Sequence, residues 1–243
     1  MYRIGTAGWT IPRASAERAA GEGSHLQRYA RVFDVAEINS SFHRPHSEKT
    51  YARWAEQTPA GFLFSVKMPR TITHDARLRR SRAPLARFLG ESAGLGDRRG
   101  PLLVQLPPSF AFDRRVAARF LDLLRAHHTG PVVWEPRHPT WFTPAADALL
   151  SSYEAGRVGA DPARVPEAAV PGGWPGIIYY RLHGSPRVYW SNYPAEFLVN
   201  LESRLRAGAW CIFDNTAAGA AFDNALDLQA LARAVPESAR AVP

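Results

Sequence analysis

Ten polar or charged residues stand at the ends of short apolar runs: Glu37, Asn39, Lys67, Gln105, Glu135, Arg137, Asp161, Arg181, His183 and Asp214. Side chains in extended chain alternate between two faces. Glu37 therefore alternates with Ala36 and Ile38, Lys67 with Val66, and Gln105 with Val104 and Leu106. Glu135 and Arg137 alternate with Trp134 and Pro136, and Arg181 and His183 with Tyr180 and Leu182. The polar set thus has one face to itself, opposite the apolar residues. Its members suit acid–base chemistry on an anion. Glu37 or Glu135 is a candidate general acid or base, because burial or a second carboxylate shifts a carboxyl pKa. His183 can carry protons. Lys67 is one of only two lysines, against 28 arginines. Lysine can lose its proton when desolvated or form a Schiff base, and arginine does neither. Glu37, Lys67, Glu135 and His183 are the catalytic candidates. Arg137 and Arg181 suit a bidentate grip on a carboxylate or phosphate. Asn39, Gln105 and Asp214 would orient the substrate beside them.

The same residues allow other readings. The three cations Lys67, Arg137 and Arg181 against Glu37, Glu135, Asp161 and Asp214 could be a self-neutralising ion-paired plug, which is weak evidence for stability. Glu37, Glu135, Asp214 and His183 are metal-ligand types, so a divalent metal is an alternative. No local ligand spacing supports it, however, and no cofactor is expected. A nucleic-acid partner is the second function considered. Arg70, Arg77, Arg79, Arg80 and Arg82 fall on the segment that follows the Lys67 run. Arg187, Tyr189, Trp190 and Tyr193 interleave a cation with aromatic rings after the His183 run, a pattern suited to stacked bases. A binding barrel without catalysis is the third.

The positioning elements follow from periodicity. Eight apolar runs read as strands: Tyr2–Gly8, Val35–Phe42, Phe62–Pro69, Pro101–Pro107, Pro131–Arg137, Arg157–Asp161, Ile177–Gly184 and Trp210–Asn215. Between them, apolar residues at helical spacing predict helices over Ser24–Phe33, Ser47–Glu56, Arg82–Ser92, Asp113–Ala126, Thr143–Tyr153, Pro194–Ala207 and Ala217–Ala234. The stretch after Asp161 holds Pro162, Pro166, Pro171 and Pro175, so a turn or a short 3₁₀ or α segment is expected there. Strands alternating with helices over 243 residues predict one domain, a (β/α)₈ TIM-type barrel with a weak or missing helix after strand six. A doubly wound open sheet is the alternative. In a barrel the polar face points inward, and its charges gather at the carboxyl ends of the strands, where barrel enzymes keep their chemistry.

Composition narrows the class. Hydrophobic residues make up 46% of the chain, ample for a packed core. A single cysteine, Cys211, excludes an intrachain disulfide and fits a reducing, cytoplasmic setting. No run approaches a membrane span. The net charge of +8 invites a polyanionic partner. The preponderance of arginine over lysine, with abundant Ala, Gly and Pro, instead reads as a GC-rich coding bias.

Several segments resemble the DUF72 family, the YecE-like proteins of bacteria and archaea. They are IGTAGW from Ile4, EINSSFHR from Glu37, SEKTYARW from Ser47 and FSVKMP from Phe64. LVQLPPSF from Leu103, EPRHPTW from Glu135, YRLHG from Tyr180 and FDNTAAGAAFDNA from Phe213 complete the set. The resemblance implies a TIM-type barrel and supplies no activity. It adds His138 to the substrate-binding candidates and makes Trp9 and Trp141 loop anchors or pocket walls, with core packing as the alternative. Phe42–His43 stands where an FY pair is commoner, and Asp214 where FNN is expected. The reading that results is an enzyme acting by acid–base chemistry on a small anionic or phosphorylated substrate at the barrel mouth. The residues do not select among hydrolysis, isomerisation and lyase chemistry.

Overall fold

Each β-rich run becomes a strand, and the strands line up in parallel. In the protein, a computed structural model describing residues 2–234, they are β1 (Arg3–Ala7), β2 (Val35–Ile38), β3 (Leu63–Lys67), β4 (Arg99–Gln105), β5 (Val132–Glu135), β6 (Ala155–Arg157), β7 (Gly159–Asp161), β8 (Gly172–Gly173), β9 (Tyr179–Leu182) and β10 (Trp210–Phe213). They form one sheet in the order β7-β9-β10-β1-β2-β3-β4-β5-β6-β8. The expected sixth strand is split. β6 pairs with β5, and β7, one residue later, pairs with β9. Only Val158 separates them, so consecutive residues reach both ends of the parallel order and the sheet nearly closes into a barrel. The doubly wound alternative does not apply. β8 is an antiparallel addition on β6 that the sequence did not signal.

Helices cover the outside: α1 (His25–Tyr29), α2 (Glu48–Glu56), α3 (Arg82–Ser92), α4 (Arg114–Arg125), α5 (Pro144–Ser152), α6 (Ala195–Glu202) and α7 (Ala220–Ala234). Their starts follow from capping chemistry. The side chains of Ser24, Ser47, Asp113 and Thr143 accept from backbone N–H groups of the first turns of α1, α2, α4 and α5. Between β7 and β9 the helical content is a single 3₁₀ turn, Pro166–Ala169, ahead of the short β8. Arg157 straps this segment down. Its guanidinium donates to both Asp147 oxygens on α5, at 2.7 and 3.0 Å, and to the carbonyls of Glu167 and Val170. A buried, saturated arginine thus does the fixing that a packed helix does elsewhere.

Two apolar clusters divide the core. The larger lies between sheet and helices, through residues such as Phe64, Val66, Val104, Trp134 and Phe213. The smaller fills the barrel with Val35, Leu103, Val133, Val158, Tyr179, Trp210 and Ile212. The rings of Trp210 and Tyr179 stack at 5.8 Å and floor the interior. Gly100 makes room for them, since a Cβ there would lie 2.8 Å from the Trp210 ring. The interior is therefore closed below by apolar groups, and its polar residues are raised to the carboxyl ends of the strands.

Candidate functional site

Above that floor the inward side chains form two levels. The lower is an ion-pair network centred on Arg181 from β9. Its Nε and Nη2 donate to the two Glu37 oxygens at 2.9 and 2.6 Å. Nη1 reaches Glu135 at 2.6 Å, and Nη2 also reaches Asp214 at 3.0 Å. Arg181 and Glu37 are fully buried. The Tyr179 hydroxyl, which register places two residues before Arg181 on the same face, bridges Glu37 and Ser65 at 3.1 and 2.9 Å. His183 sits between the other two carboxylates, with Nδ1 3.0 Å from Asp214 and Nε2 2.8 Å from Glu135. Burial alone would raise the Glu135 carboxyl. Arg181, Arg137 and His183 outweigh it and hold that group well below the ordinary carboxylate range. Asp214 is lowered in the same way, burial being overcome by Arg181 and His183.

The upper level is an open cavity of ≈ 470 Å³ at the barrel mouth. Lys67, Arg70, Arg137 and His74 line it together with Asn39, Gln105, Tyr189 and Thr216, and Asp214 is its one carboxylate. Arg137 leans on Glu135, with Nη2 2.8 Å from Oε1 and 2.9 Å from His183 Nε2. Gln105 donates to the other Glu135 oxygen at 2.9 Å. Both side chains are thus fixed by the lower level while facing the cavity. A single π-helical turn, Thr71–Asp75, follows β3 and carries His74 to the cavity wall. Burial, helped by Lys67 and Arg70, lowers the His74 imidazole to about 4, so it is neutral at pH 7.

Lys67 differs from the other cations. Among the described residues no carboxylate lies within ion-pair distance of its Nζ; its close neighbour is the Phe42 ring, 4.2 Å from Nζ to centroid. Burial, then the positive charge of Arg181, lowers its ammonium to about 8, against the pull of Glu37, Asp214 and Glu135. Asn39 has a second unfilled capacity: its Oδ1 is buried without a hydrogen-bond partner.

Four expectations need correction. Arg181 does not face the cavity, because three carboxylates consume its donors. Glu37 lies beneath the cavity, clamped by the same guanidinium, and does not reach a ligand there. His138 is drawn into a turn, where its Nδ1 lies 2.9 Å from Thr140 Oγ1 and accepts from the Thr140 backbone. Tyr193 is buried, stacked on Phe197, with its hydroxyl donating to Asp161 at 2.8 Å and accepting from the Gly184 N–H. The other rim residues stay at the surface. Arg70 pairs with Asp75, Arg77 bonds Ser109, and Arg79 approaches Asp113. Arg187 lies 4.3 Å over the exposed Trp190 ring, while Tyr189 meets His183 edge-on. Trp141 is part of the packed core, fully buried, and its indole N–H donates to the Phe110 carbonyl at 2.8 Å. Phe42, His43 and Thr216 are cavity residues that strand alternation did not select. They follow the strand ends, where the two-residue period stops applying.

Among the described residues no group of three or more His, Cys, Asp or Glu side chains is placed to hold a metal ion. Glu135, Asp214 and His183 do converge, yet Arg181 and Arg137 occupy the carboxylate oxygens a metal would take. No helix among the described residues is long and apolar enough to cross a membrane.

Comparison with known proteins agrees with this architecture. A crystal structure of a DUF72 family protein from Enterococcus faecalis V583 superposes with a TM-score of 0.79 at 18% identity, covering 98% of this chain and 97% of the other. One from Thermotoga maritima MSB8 gives 0.76 at 23% identity, over 96% of this chain and 99% of the other. The UPF0759 protein YecE of Escherichia coli K12 is 36% identical over 119 residues, which is 48% of this chain and 43% of that relative. The match therefore spans less than half the length of the curated relative. The family model for the protein of unknown function DUF72 matches residues 3–243. With that match extending over nearly its whole length, the chain belongs to the DUF72 family.

Proposed function

We propose that the protein is an enzyme that binds a small phosphorylated or carboxylated metabolite at the barrel mouth and acts on it by acid–base chemistry. One observation carries this reading: Lys67 holds a buried ammonium at the cavity wall with no carboxylate among the described residues within ion-pair distance. Desolvating a cation without a close partner is costly, and an anionic ligand would supply a direct one. Arg70 and Arg137 would complete the grip. Asn39 Oδ1 would accept from a ligand hydroxyl. With its pKa near 8, Lys67 can donate or take a proton close to neutral pH, the property a general acid or base needs. Asp214, His183 and Glu135 form the relay beneath it. Arg181 and Glu37 support that relay from below and do not take part in substrate contact.

Sulfate is the probe that tests this, because it does not titrate near neutrality. Calorimetric titration should show saturable binding that Arg137→Met weakens about tenfold, the loss of one charge-assisted contact. Affinity should also fall about tenfold as pH rises from 7 to 9.5, because Lys67 is charged below about 8 and neutral above it. No saturable binding, or binding indifferent to pH, would remove the reading.

A second reading rests on a different observation. The stretch from Arg70 to Arg125 holds 12 arginines and five acidic residues, so nearly all of the +8 resides there. Arg79, Arg80, Arg82 and Arg119 surround one cavity of ≈ 460 Å³ with Leu78, Val116, Phe120 and Leu123 also in its lining. Arginine planes around an apolar lining suit single-stranded nucleic acid. If four phosphates are contacted, raising salt from 50 to 200 mM should weaken oligonucleotide binding about 50-fold in a fluorescence anisotropy titration. Absence of binding at 50 mM salt eliminates this partner.

A further inference from the structure

A second cavity of ≈ 470 Å³ lies beside the mouth, between the segment after β2 and the first turns of α3. Phe42 and His43 belong to the walls of both cavities. The rest of the side cavity's lining is largely apolar, with Pro45, Pro69, Ala83, Pro84 and Phe88. Its rim carries the Arg87–Glu91 pair, at 2.7 Å.

Of the two residues common to both cavities, Phe42 is an aromatic ring on a fixed base. Phe42 ends the 3₁₀ turn Ser40–Phe42. Its neighbour Ser41 is buried and donates or shares bonds with the carbonyls of Ile38, at 2.9 Å, and Lys67, at 2.6 Å. The backbone is therefore pinned to the ends of β2 and β3. The ring itself is half-buried, with edge contacts to His43 and His74, each at 4.9 Å, and the Lys67 ammonium over its face. Rotation of this shared side chain would open a path between the two cavities, and side-chain rotation at a half-exposed position is fast.

We infer that the mouth and the side cavity form one bipartite site for an anion bearing a flat apolar group, with the anionic head at Lys67, Arg70 and Arg137 and the apolar group beyond Phe42. The inference rests on the anion reading of the mouth and extends it to a substrate class. Proline and phenylalanine faces accept a planar ring without the entropy cost of ordering flexible side chains. The combined space suits a metabolite-sized ligand, whereas an inorganic anion would leave the side cavity unused. The cation–π contact of Lys67 with Phe42 then has a functional sense. The ring covers the ammonium, and a ligand that displaces it brings its own negative charge to the lysine.

The test compares inorganic phosphate, phenyl phosphate and 1-naphthyl phosphate by calorimetry on the full chain. Burying the aryl group should tighten 1-naphthyl phosphate on the order of 30-fold relative to inorganic phosphate. Phenyl phosphate should fall between them. Ala83→Phe, at an exposed position of α3, should fill the side cavity and remove the aryl gain while leaving phosphate binding intact. Arg87→Trp, also exposed, gives an independent obstruction. Phosphate binding serves in both variants as the check that the barrel has folded. If phosphate binds and the aryl group adds nothing, the bipartite site is overturned and the anion reading stands. If the aryl gain survives both obstructions, the ring binds elsewhere and the inference again fails. If none of the three probes binds, the mouth reading falls and this inference with it.

Discussion

Arg181→Met will destabilise the protein by about 3 to 5 kcal/mol at neutral pH and reverse the acid dependence of its stability. Methionine has a suitable length, so the loss is not chiefly one of packing. It comes from the carboxylates left behind. Glu37 would keep only the Tyr179 hydroxyl, having lost both its guanidinium bonds. Glu135 would retain Arg137 and His183, and Asp214 would retain His183. An unpaired buried carboxylate costs several kcal/mol unless it takes up a proton. In the native protein Glu135 and Asp214 are held low, so their pairing stabilises above the ordinary carboxylate range and that contribution is lost as pH falls through their folded values. In the variant the burial term is released from its main opponent, and the network's carboxyls move up. The folded state then binds more protons than the unfolded state, and stability rises as pH falls from 7 toward 5. Urea denaturation at several pH values reads both effects. A variant within about 1 kcal/mol of the native protein, with an unchanged pH slope, would show that the network is not what holds the barrel mouth together.

This network also shows how far the sequence could be read. The strands were legible because Val-, Ile- and Phe-rich runs end at Pro, Gly or polar residues. α2, α4 and α5 were legible because Ser47, Asp113, Thr143 and Pro144 mark starts that backbone chemistry enforces. Inward orientation was legible from alternation, and it held for Glu37, Lys67, Gln105, Glu135 and Arg181. Depth along the barrel axis was not. Arg181 and His183 share a face, yet one is the hub of an ion-pair network and the other borders the mouth cavity's supporting layer. That difference depends on how neighbouring strands are staggered, as in the pairing of Arg181 with Ile212 and of Glu37 with Ser65. Stagger is set by the whole sheet and not by any one run. Tyr179 could have been found, since it stands two residues before Arg181. Tyr193 could not be separated from Tyr189 by its type, because an aromatic residue with a polar tip suits both a rim and a core. What decided it was a buried partner, Asp161, 32 residues away.

Lys67→Met separates a structural lysine from a functional one, because the two readings predict opposite signs. The Lys67 ammonium is nearly buried, and its pKa falls from 10.5 to about 8 on folding, first through burial and then through Arg181. A lowered lysine pKa means that the unfolded chain binds more protons than the folded one between those two values. The charged lysine therefore costs the folded state about 3 kcal/mol below pH 8, and the cost lifts as pH rises toward 10.5. Methionine keeps the stem, which packs at the strand end, and deletes the charge. Lys67→Met should accordingly be more stable than the native protein at pH 7, by up to about 3 kcal/mol in urea denaturation, with the advantage shrinking above pH 8. The same variant should lose sulfate binding at least about tenfold, because it removes a cavity ammonium that no described carboxylate pairs at close range. A gain in stability joined to a loss of binding is the mark of a residue kept for what it holds and not for what it packs against. If Lys67→Met were less stable and still bound sulfate, the ammonium would belong to the plug together with Arg181, and the mouth would lose its claim to chemistry. The native network makes the first outcome the expected one. Arg181 already brings Glu37, Glu135 and Asp214 together at distances of 2.6 to 3.0 Å, and no carboxylate among the described residues is left within ion-pair reach of Lys67.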